Sequence, residues 1–136
     1  MPDPHRFTVQ IYYEDTDFSG LVYHANFLKY FERAREHLLG REELVRLFRD
    51  QGLGFVVYRA EMQFREPAVF GDELEIRTVP ELKSEYRAMF KQSAWKAGSK
   101  GPLVEAEIHL VCVDRSNRLA RLPEHVIAAG KAYASG

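Results

Sequence analysis

The chain has 136 residues, 46% of them hydrophobic and 29% charged, with a formal net charge of −1. This is the composition of one soluble globular domain spanning 1–136, and it excludes disorder as well as an electrostatic case for nucleic acid or an anionic membrane. Cys112 is the only cysteine, so no internal disulfide can form. MPDPHRFTVQ lacks a signal core, and no apolar run reaches membrane-spanning length, so a reducing, cytoplasmic setting is expected.

Residues 6–13 alternate, with Phe7, Val9, Ile11 and Tyr13 on one face, which predicts a half-buried strand. The loop EDTDFSG follows, with Gly20 free to take backbone angles other residues resist. From about His24 to Leu39 the period becomes helical. Ala25, Phe27, Leu28, Phe31, Ala34 and Leu38 form an apolar stripe, and Gly40 is the stop. A shorter helix, Glu42–Asp50, is expected to bury Leu44, Val45, Leu47 and Phe48. Alternating runs at 55–65, 73–79, 86–96 and 103–113 read as antiparallel strands separated by Gly, Pro and Asn turns. Pro123 suits the first turn of a short closing helix containing Val126, Ile127 and Ala128.

A strand, a long helix, a short helix and then consecutive strands make an α+β architecture, one helix lying across one face of an antiparallel sheet. The other face is expected to carry Phe55, Val57, Met89, Trp95, Val111 and Val113. That much apolar surface predicts a partner, and a homo-oligomer is expected. Cys112 falls on an inward register and reads as a small buried hydrophobe.

The segment from Tyr13 to Leu39 is the most informative. A helix start offers unpaired backbone N–H groups and the positive end of the helix dipole. An aspartate a few residues upstream, such as Asp17, is then placed to attack, or to activate water against, a carbonyl held on those groups. That is the outline of a hydrolytic site, although the same spacing also suits a helix cap or an Asx turn. Glu14, Asp15 and Asp17 read as solvated acids rather than a metal cluster, and His5, His37, His109 and His125 have no metal-ligand spacing.

The order of elements, together with Y-x-x-x-D-x-x-G-x-V-Y-H-A-N-F-L-x-Y-F-E-x-A-R from Tyr13 to Arg35, resembles the hotdog-fold thioesterases. It is similar to the hydroxybenzoyl-CoA thioesterase group and, closer still, to the short acyl-CoA thioesterases associated with the Tol–Pal system. The similarity returns in REPAVFGDELEI and VCVDRSNRLARLP. The resemblance implies a hotdog fold and hydrolysis of short-chain or aromatic acyl-CoA thioesters to free acid and CoA. Asp17 falls on the family's catalytic carboxylate, Gly20 on the loop glycine, and His24 where a helix-start N–H polarises the thioester carbonyl. Tyr13 and the His24 side chain complete the closer subgroup's signature. Tyr23 and Phe27 fall beside the substrate, Phe27 as a floor for the acyl group.

Ser19 stands where that subgroup commonly has glycine, and Phe18 where it commonly has a smaller residue. Divergence within the family keeps Glu61 and Glu66 open as alternative carboxylates. Arg65, Lys83 and Arg87, with Lys91, are candidates for the CoA phosphates, against a bland reading as solvated strand charges. No cofactor is expected beyond the CoA of the substrate, and the expected assembly is a dimer or a homotetramer built as a dimer of dimers. The competing readings are a non-catalytic acyl-thioester or acyl-carrier-protein binding module, and a hotdog dehydratase, for which no paired His and carboxylate motif is present.

Overall fold

The structure is a computed structural model that describes residues 3–134. Strand β1 (His5–Gln10) leads through a 3-10 turn at Tyr13–Asp15 and a loop to helix α1 (Asn26–Leu39). Helix α2 (Arg41–Arg46) continues into a π-helical turn at Leu47–Gln51. Four long strands follow, β2 (Gly54–Phe64), β3 (Glu73–Leu82), β4 (Arg87–Lys96) and β5 (Val104–Val113), then the short β6 (Leu119–Ala120) and helix α3 (Glu124–Ala134). The antiparallel sheet has the order β1-β3-β4-β5-β2, with β6 on β5. The α+β class and the hotdog arrangement, a sheet wrapped on a long helix, are as expected.

Helix α1 buries Phe27, Tyr30, Phe31, Ala34 and Arg35, the i, i+3, i+4 set of one helix face. Each buried aromatic contributes on the order of 2–3 kcal/mol by leaving water. This stripe meets Val9, Ile11, Leu74, Ile76, Ala94, Val104 and Ile108 in one core. A second core lies beside it, where Val126 and Ile127 of α3 cover Ala88, Phe90, Leu110 and Cys112. The sheet is therefore covered by two helices rather than one. Gly130, not Ala128, completes the α3 contact: a Cβ there would lie 2.5 Å from Leu82 Cγ.

A polar network crosses the first core. Arg35 Nη1 donates to Gln92 Oε1 at 3.0 Å, and Gln92 Nε2 donates to the Phe31 carbonyl and to Thr78 Oγ1, each at 2.9 Å. All three side chains are buried, and this pattern fixes how α1 sits over β3 and β4.

Several expectations are corrected. The first strand ends at Gln10, so Tyr13 leaves its inward register and is 74% exposed. Helix α1 begins at Asn26, because Tyr23–Ala25 form a turn closed by Asn26 N–H to the Tyr23 carbonyl. In the short helical segment only Leu47 is buried, while Val45 and Phe48 face solvent. The register of β2 on β5 slips between Val57 and Arg59. That bulge at Tyr58 turns Phe55 and Val57 toward the helix side, where Phe55 packs on the second core. The outer face keeps Met89, Trp95, Val111 and Val113, of which Met89 is already buried within the chain. Cys112 is fully buried, as expected, and burial pushes its thiol pKa up.

Candidate active site

The Asp17 loop is held by backbone pairing on both flanks. A bridge joins Thr16 to Val22, and Asp17 N–H donates to the Leu21 carbonyl at 2.8 Å. Gly20 sits at φ +82°, a left-handed geometry that favours glycine, and its N–H closes the turn on the Asp17 carbonyl at 3.1 Å. On the other flank Leu21 bridges Val69, Val22 N–H donates to Ala68, and Phe70 N–H donates to Gly20. The loop is thereby fixed to the segment that joins β2 and β3.

The Asp17 side chain is exposed, and its Oδ1 accepts both the N–H of Ser19 at 2.8 Å and the Ser19 hydroxyl at 2.5 Å. The Ser19 hydroxyl, its N–H and the Leu21 backbone bond together hold the carboxyl pKa below its ordinary value. The Asx-turn reading of Asp17 is therefore also true. It coexists with a carboxylate at a cleft, because both Ser19 bonds go to the one oxygen Oδ1 and the side chain lines the cleft.

That cleft, of about 340 Å³, is lined by Asp17, Leu21, Val22, His24, Phe27, Phe64, Arg65, Glu66, Pro67 and Ala68. It joins the carboxylate to the helix start. The turn before α1 has Ala25 as its N-cap residue, with no side-chain cap and no acid in the first turn. Among the described residues neither His24 N–H nor Ala25 N–H meets a backbone acceptor. Unpaired donors at the positive end of a helix are what a developing oxyanion requires.

The fold brings some candidates together and separates others. Asp17, His24, Phe27 and Arg65 share the cleft, with Glu66 as a second carboxylate, and Gly20 shapes the loop. The His24 ring makes no hydrogen bond among the described residues; it lies tilted at 4.4 Å from the ring of Tyr23, which itself does not line the cleft, and stands 6.2 Å from Phe64. Tyr13 lies outside the cleft, its ring against Phe70 at 5.6 Å. Glu61 is on the outer face of the sheet, in a separate groove with Arg77, Lys91 and Trp95. Arg65 is paired with Glu105 at 2.6 Å, so a phosphate there competes with a carboxylate.

Lys83 and Arg87 sit at the β3–β4 hairpin end. The pairing runs from Leu74–Lys96, near the site, to Leu82–Ala88, roughly 27 Å of strand. Within one chain they do not reach Asp17. The reading of the sequence also omitted Phe64, whose ring faces Phe27 at 6.0 Å across the cleft. Its only signal was an aromatic residue at the end of a strand.

Residues 12–130 match the family model described as the Thioesterase-like superfamily. The acyl-CoA thioester hydrolase YbgC of Escherichia coli is 36% identical over 132 residues, 93% of this chain and 95% of that protein. The acyl-CoA thioesterase YbgC of Haemophilus influenzae is 35% identical, over 90% and 91% of the two chains. Among solved structures, a 1,4-dihydroxy-2-naphthoyl-CoA thioesterase from Synechocystis superposes with a TM-score of 0.85 at 27% identity, covering 93% of this chain and 95% of that one. A probable thioesterase from Bartonella henselae gives 0.77 at 33% identity, with 90% and 100% coverage. The extent of the family match and the identity to full-length relatives together show that this chain belongs to the thioesterase-like superfamily, as a thioester hydrolase of the hotdog fold.

Proposed function

We propose that the chain hydrolyses acyl-CoA thioesters, short-chain or aromatic, to the free acid and CoA. The observation that carries this is the cleft that Asp17 shares with His24, just before α1, whose backbone N–H has no backbone acceptor among the described residues. The thioester carbonyl points at the His24 and Ala25 N–H groups, which take up the charge that develops on its oxygen. One such donor is typically worth roughly 3 kcal/mol of barrier. The Asp17 carboxylate either attacks the carbonyl carbon, giving a mixed anhydride that water then hydrolyses to the free acid and the regenerated carboxylate, or deprotonates a water that attacks in its place. In either route the C–S bond breaks, and CoA leaves as a thiolate that needs little acid assistance. This chemistry needs no cofactor apart from the CoA of the substrate. Phe27, Phe64 and the His24 ring wall the acyl side, which favours short or flat groups.

The assembly we propose is a dimer joined at β2, with back-to-back pairing of dimers into a tetramer across the outer face that carries Trp95. Strand β2 is paired on one side only and exposes Val56, Val57, Tyr58 and Phe64, an edge that isolated proteins avoid. Antiparallel pairing of two such edges about a two-fold axis would carry the Lys83 and Arg87 end of one sheet to the level of the other's Phe64 and Arg65. Those cations would then serve the CoA phosphates of the partner's site. A buried free thiol at Cys112 fits the cytoplasm, and among the described residues no helix is long and apolar enough to cross a membrane.

The test is a panel of acyl-CoA thioesters from acetyl to palmitoyl, with benzoyl variants, followed by free-thiol release. Turnover of short or aromatic members is expected. Binding without turnover across the panel would replace the enzyme with a binding module.

A further inference from the structure

The backbone bonds that pin the Asp17 loop to the β2–β3 connection leave open what sets its distance from the helix start. The seven-residue path from Asp17 to His24 includes Gly20, so chain connectivity alone is a loose tether. The link lies two residues upstream. The Asp15 carbonyl accepts Tyr23 N–H at 3.0 Å and the Asn26 side-chain amide, through Nδ2, at 2.8 Å, which uses both of its lone pairs. The Asp15 carboxylate accepts Tyr12 N–H at 2.8 Å, and Asp15 N–H returns to the Tyr12 carbonyl at 2.9 Å.

Asn26 opens the helix and turns its side chain back to Asp15, so the helix start is tied to the loop rather than capped by a side chain. Tyr30, one turn further along α1, is 2% exposed, with its hydroxyl enclosed. It faces the Asp15 carboxylate in a cleft of about 320 Å³ that Tyr12, Asp15 and Asn26 also line. Burial first, and then the Asp15 charge, raise its pKa well above the ordinary phenol value.

We infer that Asp15 and Asn26 are positioning residues that join the Asp17 loop to the start of α1 and so set the gap between the attacking oxygen and the oxyanion donors. The inference rests on the hydrolytic reading above. Neither residue lines the cleft that holds Asp17, so both act through it. Misplacement of a catalytic group by about 1 Å costs as much as ~100-fold in rate. Loss of one of two tethers is expected to cost less.

The experiment is a double-mutant cycle of Asn26→Ala with Asp17→Asn, on an acyl-CoA that the wild-type protein turns over. CoA-binding stoichiometry by calorimetry counts the folded, competent protein. Asn26→Ala is expected to lower kcat by ~10-fold with KM within ~2-fold and stoichiometry unchanged. In the Asp17→Asn background the same change is expected to cost less than ~2-fold, because the geometry it protects no longer matters. Asp15→Ala, which removes the acceptor for Tyr12 N–H, is the second variant should Asn26→Ala unfold, and it carries the same expectation. Full additivity of the two losses, or a wild-type kcat in both Asn26→Ala and Asp15→Ala, would overturn the positioning role. An Asp17→Asn protein as active as wild type would instead remove the hydrolytic assignment of Asp17, and this inference with it.

Discussion

Asp17 and Ser19 share one carboxylate oxygen: Oδ1 of Asp17 takes the Ser19 N–H at 2.8 Å and the Ser19 hydroxyl at 2.5 Å. Both donors favour the charged carboxylate, and the hydroxyl is the largest cause of its lowered pKa. The group is deprotonated above that lowered value, so activity that depends on the carboxylate is retained at neutral pH and falls as pH drops through it. Ser19→Gly or Ser19→Ala removes the hydroxyl donor and leaves the N–H. The acid limb of kcat/KM is then expected to move to higher pH, toward the ordinary carboxylate range. A pH–rate profile reads this directly, and a limb that stays in place would separate Ser19 from Asp17 chemistry.

Phe64 is half exposed, and its ring closes the cleft against Phe27 and His24. Phe64→Ala is expected to widen acyl selection. The kcat/KM ratio of a medium-chain to a short-chain substrate should rise by ~10-fold, the scale of about 1–2 kcal/mol per hydrophobic subsite. Selectivity ratios across the acyl panel check this.

The Gln92 amide is the hinge of the buried network that joins Arg35, Phe31 and Thr78. Gln92→Leu fits the space but strands the Arg35 guanidinium and the Thr78 hydroxyl away from water. A loss of about 2–4 kcal/mol is expected, measured by urea unfolding with an unchanged m-value. Stability equal to wild type would mean that Arg35 finds water or another acceptor.

Sequence and structure agree most closely where the chemistry is contiguous. Asp17, Gly20 and His24 lie within eight residues, so the loop-to-helix pattern already contained their geometry, and local hydrogen bonds realise it. Phe64 joins them only because β2 ends beside the loop, a long-range relation that alternation within 55–65 cannot express. The same holds for Lys83 and Arg87, whose charge suggested phosphate binding while the β3–β4 hairpin carries them to its far end. The bulge at Tyr58 shows a different limit. A period-2 pattern reads through an inserted residue unbroken, so the faces of Phe55 and Val57 were exchanged. Tyr13 fitted the strand register by pattern, but the 3-10 turn that starts at its own position overrides it.

The open β2 edge makes a prediction about mass. Sedimentation equilibrium is expected to give two or four times the 15.8 kDa of the chain. A monomer at micromolar concentration would contradict pairing at β2 and, with it, the service of Lys83 and Arg87 to a neighbouring site.

The most direct measurement is turnover of the preferred acyl-CoA by Asp17→Asn beside its affinity for free CoA. The substitution keeps the size of the side chain and an acceptor for Ser19, and removes the oxygen that attacks or deprotonates water. The account predicts a fall in kcat of at least ~100-fold with CoA affinity within ~3-fold of wild type. Hydrolysis at the wild-type rate in that variant would contradict it and shift attention to Glu66, the other carboxylate in the same cleft.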